Sequence, residues 1–167
     1  MENRVTLWLD DLRNPFIDLE GKVPKDNEPD NTNPDHWQVD HKQLTDRLKN
    51  SSSMLIHVHS LIEITYPKPN KLVWVLNYEQ FVQWIEKFGL PDIISFDHDL
   101  ADQHYTPEEY QDAQNYTEKT GLDCAKWLVD YCIDNKKKMP TFYVHSANPV
   151  GADNIRGLLN NYIDKCE

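Results

Sequence analysis

The sequence predicts an α/β fold: a parallel sheet of about four strands flanked by helices, with an insertion after the first strand. Three short apolar runs carry that expectation: Val5-Thr6-Leu7-Trp8-Leu9, Ile93-Ile94-Ser95-Phe96 and Thr141-Phe142-Tyr143-Val144. Each suits a strand buried on both faces of a parallel sheet. Each also stops abruptly, at Asp10-Asp11, at Asp97-His98-Asp99 and at His145-Ser146. An unpaired carboxylate in an apolar interior costs several kcal/mol, roughly, so a buried strand ends where its acids begin. Those ends belong to the carboxyl edge of the sheet, where open α/β sheets bind ligands.

In chain order, residues 4–9 form the first strand, and Pro15 prevents an immediate helix. From Phe16 to about Pro34 the chain is polar and proline-bearing, as loops are. His41 to Lys49 reads as a short helix with Leu44 and Leu48 on one face, and Ser51-Ser52-Ser53 breaks it. Met54 to Tyr66 reads as an extended strand or hairpin, with a helix as the alternative, and Pro67 and Pro69 end it. Residues from about 16 to 70 are thus an insertion covering one side of the core.

Lys71 to Leu76 is the next strand. Asn77 can cap the following helix, with Gln80 at the reciprocal position of a capping box. Phe81, Val82, Ile85 and Phe88 make that helix's apolar face, and Gly89 ends it. The Ile93 strand follows. Residues 101–119 are polar and leave the Asp97–Asp99 corner, so they are a candidate lid. Thr120 caps a helix that buries Leu122, Ala125, Leu128, Val129, Cys132 and Ile133, and Lys136-Lys137-Lys138 suits its end. The 141–145 strand precedes a last helix with Ile155, Leu158, Leu159, Tyr162 and Ile163 inward. The order is β, insertion, β-α, β-α, β-α.

At 167 residues the chain, 1–167, is expected to be one domain with a real core. A net charge of -11 argues against broad nucleic-acid binding, which needs a basic surface. It leaves room for a small phosphorylated ligand held by a metal. No run approaches the roughly 20 apolar residues of a membrane span, and nothing resembles a signal peptide. Cys124, Cys132 and Cys166 are odd in number and lack paired spacing, so they read as free thiols in a reducing, cytoplasmic compartment.

Neighbouring parallel strands would bring Asp10, Asp11, Asp97, Asp99, His145 and Ser146 to one crevice. Asp10, Asp11 and Asp97 make a hard-oxygen set for Mg²⁺ or Mn²⁺. A solvated Asp-Asp turn is the competing reading, weakened by the acids that end a second buried strand. His98 and His145 are each a candidate general acid/base, phosphate donor or ligand. His98 sits between two acids and either joins them or points away. Ser146 and Asn148 either donate to phosphate or cap the last helix. Arg13 is either a phosphate clamp or half of a surface ion pair. The remaining histidines, His36, His41, His57, His59 and His104, have no recognisable metal spacing and read as structural or surface residues.

Together, Leu9-Asp10-Asp11-Leu12-Arg13-Asn14-Pro15, Ser95-Phe96-Asp97-His98-Asp99-Leu100 and His145-Ser146-Ala147-Asn148-Pro149-Val150-Gly151 resemble the motifs of the cyclic-phosphate processing receiver-like family. These are relatives of response-regulator receivers found in bacteria and their phages. The resemblance covers residues 4–13 and about 71–165. It implies a receiver-like, flavodoxin-like fold with an acidic metal pocket. Asp10 and Asp11 match the receiver's acidic pair, Asp97 its phospho-accepting aspartate and Ser146 its hydroxyl residue. His98 and His145 match histidines that this family adds. Two departures count against phospho-relay signalling: no fifth strand with the usual lysine follows Ser146, and the insertion replaces the first helix.

The leading expectation is a metal-dependent phosphoesterase acting on a cyclic phosphate or a nucleotide or RNA end, in a bacterial or phage-infected cell. Asp10, Asp11 and Asp97 would hold the metal, with His145 protonating the leaving oxygen, or Asp97 instead attacking the phosphorus covalently. Asp99 and His98 complete the catalytic candidates, and Arg13, Ser146 and Asn148 the substrate-binding ones. The rivals are a non-catalytic nucleotide-binding or sequestering module and a phospho-accepting receiver. The sequence leaves the oligomeric state open.

Overall fold

The computed structural model describes residues 3–11, 33–59, 62–100 and 119–166. The polar stretch 16–34 and the candidate lid 101–119 lie almost wholly outside them. Among the described residues, strand β1 (Val5–Leu9) is followed by a 3-10 turn at Pro34–His36, then helix α1 (His41–Leu48) and strands β2 (Ser53–His59) and β3 (Ile62–Pro67). Strand β4 (Lys71–Val75), helix α2 (Tyr78–Phe88), strand β5 (Ile93–Phe96), helix α3 (Gly121–Asn135), strand β6 (Thr141–Val144) and helix α4 (Pro149–Cys166) complete the order.

The main sheet runs β4-β1-β5-β6, and every pairing in it is parallel. This is the expected four-strand α/β sheet. The chain leaves β1 for β4 on one side and then crosses to β5 on the other. The strand order therefore reverses at the β1/β5 boundary, which is where such sheets open a crevice.

Side-chain alternation divides the sheet into two faces. Leu7, Leu9, Val73, Val75, Ile94, Phe96 and Val144 pack against α2, α3 and α4 in one cluster. Trp8, Leu72, Trp74 and Ile93 belong to a second cluster with Leu44, Leu48, Met54, Ile56 and Tyr66, all from the insertion. The insertion thus covers one whole face. Its ambiguous stretch resolves as an antiparallel hairpin, β2 with β3. Its β-branched residues fit a pleated surface better than a helix. Upstream, Gln38 bridges Val73 antiparallel, with Val39 N–H donating to Leu72 O (2.8 Å) and Trp74 N–H to Trp37 O (2.9 Å). That contact covers the outer edge of β4, which would otherwise present unpaired backbone groups.

The helix caps follow the sequence closely. Asn77 Oδ1 accepts from Gln80 N–H at 2.9 Å. Gln80 Oε1 reaches one residue further back than expected, to Leu76 N–H (2.9 Å). Thr120 and Asp123 form a full capping box on α3. Two helix faces differ from expectation. On α2, Trp84 is buried and Phe88 is 42% exposed, with the Lys71 and Lys87 ammonium groups 5.3 Å from its ring. On α3, Cys124 is buried while Ile133 is 53% exposed. In both helices the last apolar residue of the expected face is exposed, and an earlier residue is buried.

Cys124 and Cys132 are buried on α3, and Cys166 is exposed at the end of α4. Burial pushes the Cys124 thiol well above the usual cysteine range. A thiol-reactive dye should therefore titrate one group rapidly in the native protein and three in denaturant. A Cys166→Ser variant should lose the native reaction. Rapid labelling of more than one thiol in the native state would contradict this packing.

Candidate metal and phosphate site

The ladder of the main sheet continues one rung past the strands. Leu9 is paired with Phe96, and Phe96 with Val144. Beyond them, Asp97 N–H donates to Leu9 O (3.0 Å) and His145 N–H to Phe96 O (2.9 Å). On the other side Asp10 N–H donates to Val75 O (3.1 Å). Asp10, Asp97 and His145 therefore stand side by side at the carboxyl edge. The Trp74 indole N–H donates to Asp10 O at 2.6 Å and fixes the backbone where β1 ends.

Asp10, Asp11 and Asp97 each offer an oxygen, and these oxygens all lie within 4.8 Å of one another. All three residues are buried. The site is thus a crowded, largely desolvated set of hard oxygen donors from two adjacent strands, a set that can hold a divalent metal. The electrostatics agree with that use. Burial pushes the Asp97 carboxyl above the ordinary carboxylate range, and the neighbouring Asp10 charge adds to it. His145, the His98 N–H donated to Asp97 Oδ1 (2.8 Å) and the Ser146 hydroxyl oppose that rise without cancelling it. A cation among the three carboxylates would remove the repulsion.

His145 lies behind the acids. Its Nε2 is 3.1 Å from Asp10 Oδ2, with both side chains 1% exposed. Its Nδ1 is 2.7 Å from Ser95 Oγ. The ring stacks on Trp8 at 3.8 Å between centroids. Both ring nitrogens are engaged inside the protein, so the imidazole presents neither to a ligand.

His98 follows the other path left open by the sequence. Its Nδ1 is 2.9 Å from Asp99 Oδ1, and its Nε2 has no hydrogen bond among the described residues. Its ring packs on Gly151, where a Cβ would come within 2.3 Å of Cγ. Gly121 makes a still closer approach: a Cβ there would lie 1.8 Å from Asp97 O. Its N–H donates to His98 O (2.9 Å), so the first turn of α3 presses directly on the site's backbone.

Ser146 and Asn148 serve the helix start. Asn148 N–H donates to Ser146 Oγ (3.1 Å), and Gly151 N–H donates to Asn148 Oδ1 (3.0 Å). Ser146 also bonds to Asp97, which joins this cap to the acidic cluster. Arg13 lies outside the described residues, as does His104. Sequence reasoning passed over Ser95 and Tyr66, which stand behind His145. A hydroxyl in the middle of the fully buried run 93–96 was the available signal, since buried polar groups are hydrogen-bonded.

A family model described as "cyclic-phosphate processing receiver domain" matches residues 5–161. No curated protein and no solved structure matches the chain. With nearly its whole length matched, the chain belongs to the cyclic-phosphate processing receiver family.

Asp97→Asn removes one of the crowded charges without changing size. With its carboxyl titrating higher in the folded state than in the unfolded one, the native protein binds more protons between those two values. Metal-free stability therefore falls as pH rises through that window. In Asp97→Asn that fall should be lost, and the metal-free melting temperature at neutral pH should rise by about 2–4 °C, the shift that roughly 1 kcal/mol gives at this size. Stabilisation by Mg²⁺ or Mn²⁺ should disappear in the same variant. Thermal melts across pH, with and without metal, check both, and a variant less stable than the wild type in EDTA would refute the crowding argument.

Proposed function

We propose that this receiver domain is a metal-dependent phosphoesterase that opens a cyclic phosphate on a nucleotide or an RNA end. One observation carries the reading: three buried carboxylates from adjacent strand ends converge within 4.8 Å, in a chain of the cyclic-phosphate processing family. Asp10, Asp11 and Asp97 would hold Mg²⁺ or Mn²⁺. When bound, such an ion acts as a Lewis acid on a phosphoryl oxygen and makes water a better nucleophile.

The chain's own groups divide the remaining work. His145 holds Asp10 in place. Proton donation to the leaving oxygen, expected of His145 from the sequence, passes in this proposal to the imidazolium of His98, whose Nε2 has no hydrogen bond among the described residues. Nδ1–H donates to Asp99, which orients the ring, and the Nε2 proton goes to the leaving oxygen. Ser146 holds Asp97, and Arg13 binds the phosphate. The partner is a small phosphorylated molecule, met in the cytoplasm of a bacterial or phage-infected cell.

The test is turnover of 2′,3′- and 3′,5′-cyclic phosphates and cyclic oligonucleotides with Mg²⁺, Mn²⁺ or EDTA. Ring opening should require metal and vanish in Asp97→Asn. It should fall by about a hundred-fold or more in His98→Ala, the usual scale of a lost general acid. Turnover that survives EDTA overturns the metal role. Binding of the same panel without turnover would favour a sequestering module, and acetyl-phosphate labelling lost in Asp97→Asn would favour a phospho-accepting receiver.

A further inference from the structure

The inserted hairpin reaches the acidic cluster through a chain of buried polar atoms. Tyr66 OH is 2.7 Å from Ser95 Oγ, Ser95 Oγ is 2.7 Å from His145 Nδ1, and His145 Nε2 is 3.1 Å from Asp10 Oδ2. All four residues are buried. Tyr66 packs edge-on against Trp8, and Trp8 in turn stacks on the His145 ring.

The direction of these bonds follows from counting protons. The Tyr66 phenol has one proton and, among the described residues, one partner, Ser95 Oγ. Burial keeps that phenol protonated, far above the usual tyrosine range. If Tyr66 donates to Ser95, the serine proton is left for His145 Nδ1, which then accepts. The imidazole's own proton sits on Nε2 and donates to the Asp10 carboxylate. Reversing the chain strands the Tyr66 proton with no acceptor. A proton on Nδ1 alone would also set two acceptors, Nε2 and a carboxylate oxygen, face to face. Among the described residues, this is the arrangement of the neutral imidazole that satisfies all four buried groups.

We infer that Tyr66 and Ser95 are positioning residues: the inserted hairpin, through Ser95, donates to His145 Nδ1 and holds the ring in place, so that its Nε2–H orients the Asp10 carboxylate for a divalent cation. This rests on the metal-site reading above. Partners behind a ligand usually change metal affinity about 10- to 100-fold when lost. Neither Tyr66 nor Ser95 needs to touch a substrate to have that effect.

The test uses the full chain with ¹⁵N-labelled histidine. Imidazole nitrogen spectra of the metal-free protein give the tautomer, and Mn²⁺ titration gives the affinity. The wild type should show His145 protonated on Nε2. Ser95→Ala should move the His145 Nδ1 resonance, because its hydrogen-bond donor is gone, and weaken Mn²⁺ about ten-fold. Tyr66→Phe, which keeps the packed ring, should do the same to a smaller extent and serves if Ser95→Ala does not fold. A wild-type proton on Nδ1, or a folded variant with an unchanged Nδ1 resonance or unchanged Mn²⁺ affinity, overturns the inference. No Mn²⁺ binding by the wild type overturns the metal site itself, and the imidazole spectra still decide the tautomer.

Discussion

Parallel pairing forces Asp10 and Asp97 onto neighbouring positions of one rung, and the chain cannot relieve their repulsion by moving them apart. The backbone bonds that continue the ladder, from Asp97 to Leu9 and from His145 to Phe96, fix that rung. Asp11 adds a third carboxylate. In water such a trio would repel weakly, but in a buried edge the effective dielectric is far lower. Each acid therefore has its own support: His145 for Asp10, and the His98 amide with the Ser146 hydroxyl for Asp97. These supports tie the acids to β6, to the start of α4 and, through Gly121, to the start of α3. The local packing at the edge is arranged around tolerating that charge.

The two faces of the sheet contribute differently to the site. The helical face supplies helix starts: Gly121 against the Asp97 carbonyl and Gly151 against the His98 ring. Both positions need the absence of a Cβ, because the helices meet the strand ends at closer than side-chain distance. The inserted face supplies an aromatic and polar layer. Trp8, Tyr66 and Tyr143 crowd beneath His145, with Tyr66 and Tyr143 rings 4.6 Å apart. A segment that looks like added cover in the sequence is thus joined to the acidic cluster through one serine and one histidine.

The strands and their chemical ends were legible because a buried strand and a charged terminus impose opposite demands, and the transition between them is sharp. The three runs ending at Asp10, Asp97 and His145 show it, as do the caps Asn77 and Thr120. Helix faces were less legible near their ends. Phe88 and Ile133 fit the apolar period but are exposed, while Trp84 and Cys124 are inside, because periodicity marks a face and not how far along the helix that face is covered. The 54–66 stretch could not be settled locally, because its β-branched residues suit a hairpin while its length also suits a helix. What decides it is the exposed apolar face of the main sheet, a tertiary fact. His145 as a buried group was hidden for the same reason: its neighbours Ser95 and Tyr66 are 50 and 79 residues away in sequence.

His98 and His145 differ in how many ring nitrogens the described residues engage. His145 spends both on protein groups and is sealed by Trp8. An imidazole so held is a rigid strut: moving it would break two buried hydrogen bonds and a ring stack at once. His98 spends one nitrogen on its neighbour Asp99, at a partly exposed corner. Its Nε2 has no hydrogen bond among the described residues. The edge thus sets a ring locked behind the acids beside one at the rim that can take a new partner without breaking a buried bond, because only the first is held at both nitrogens.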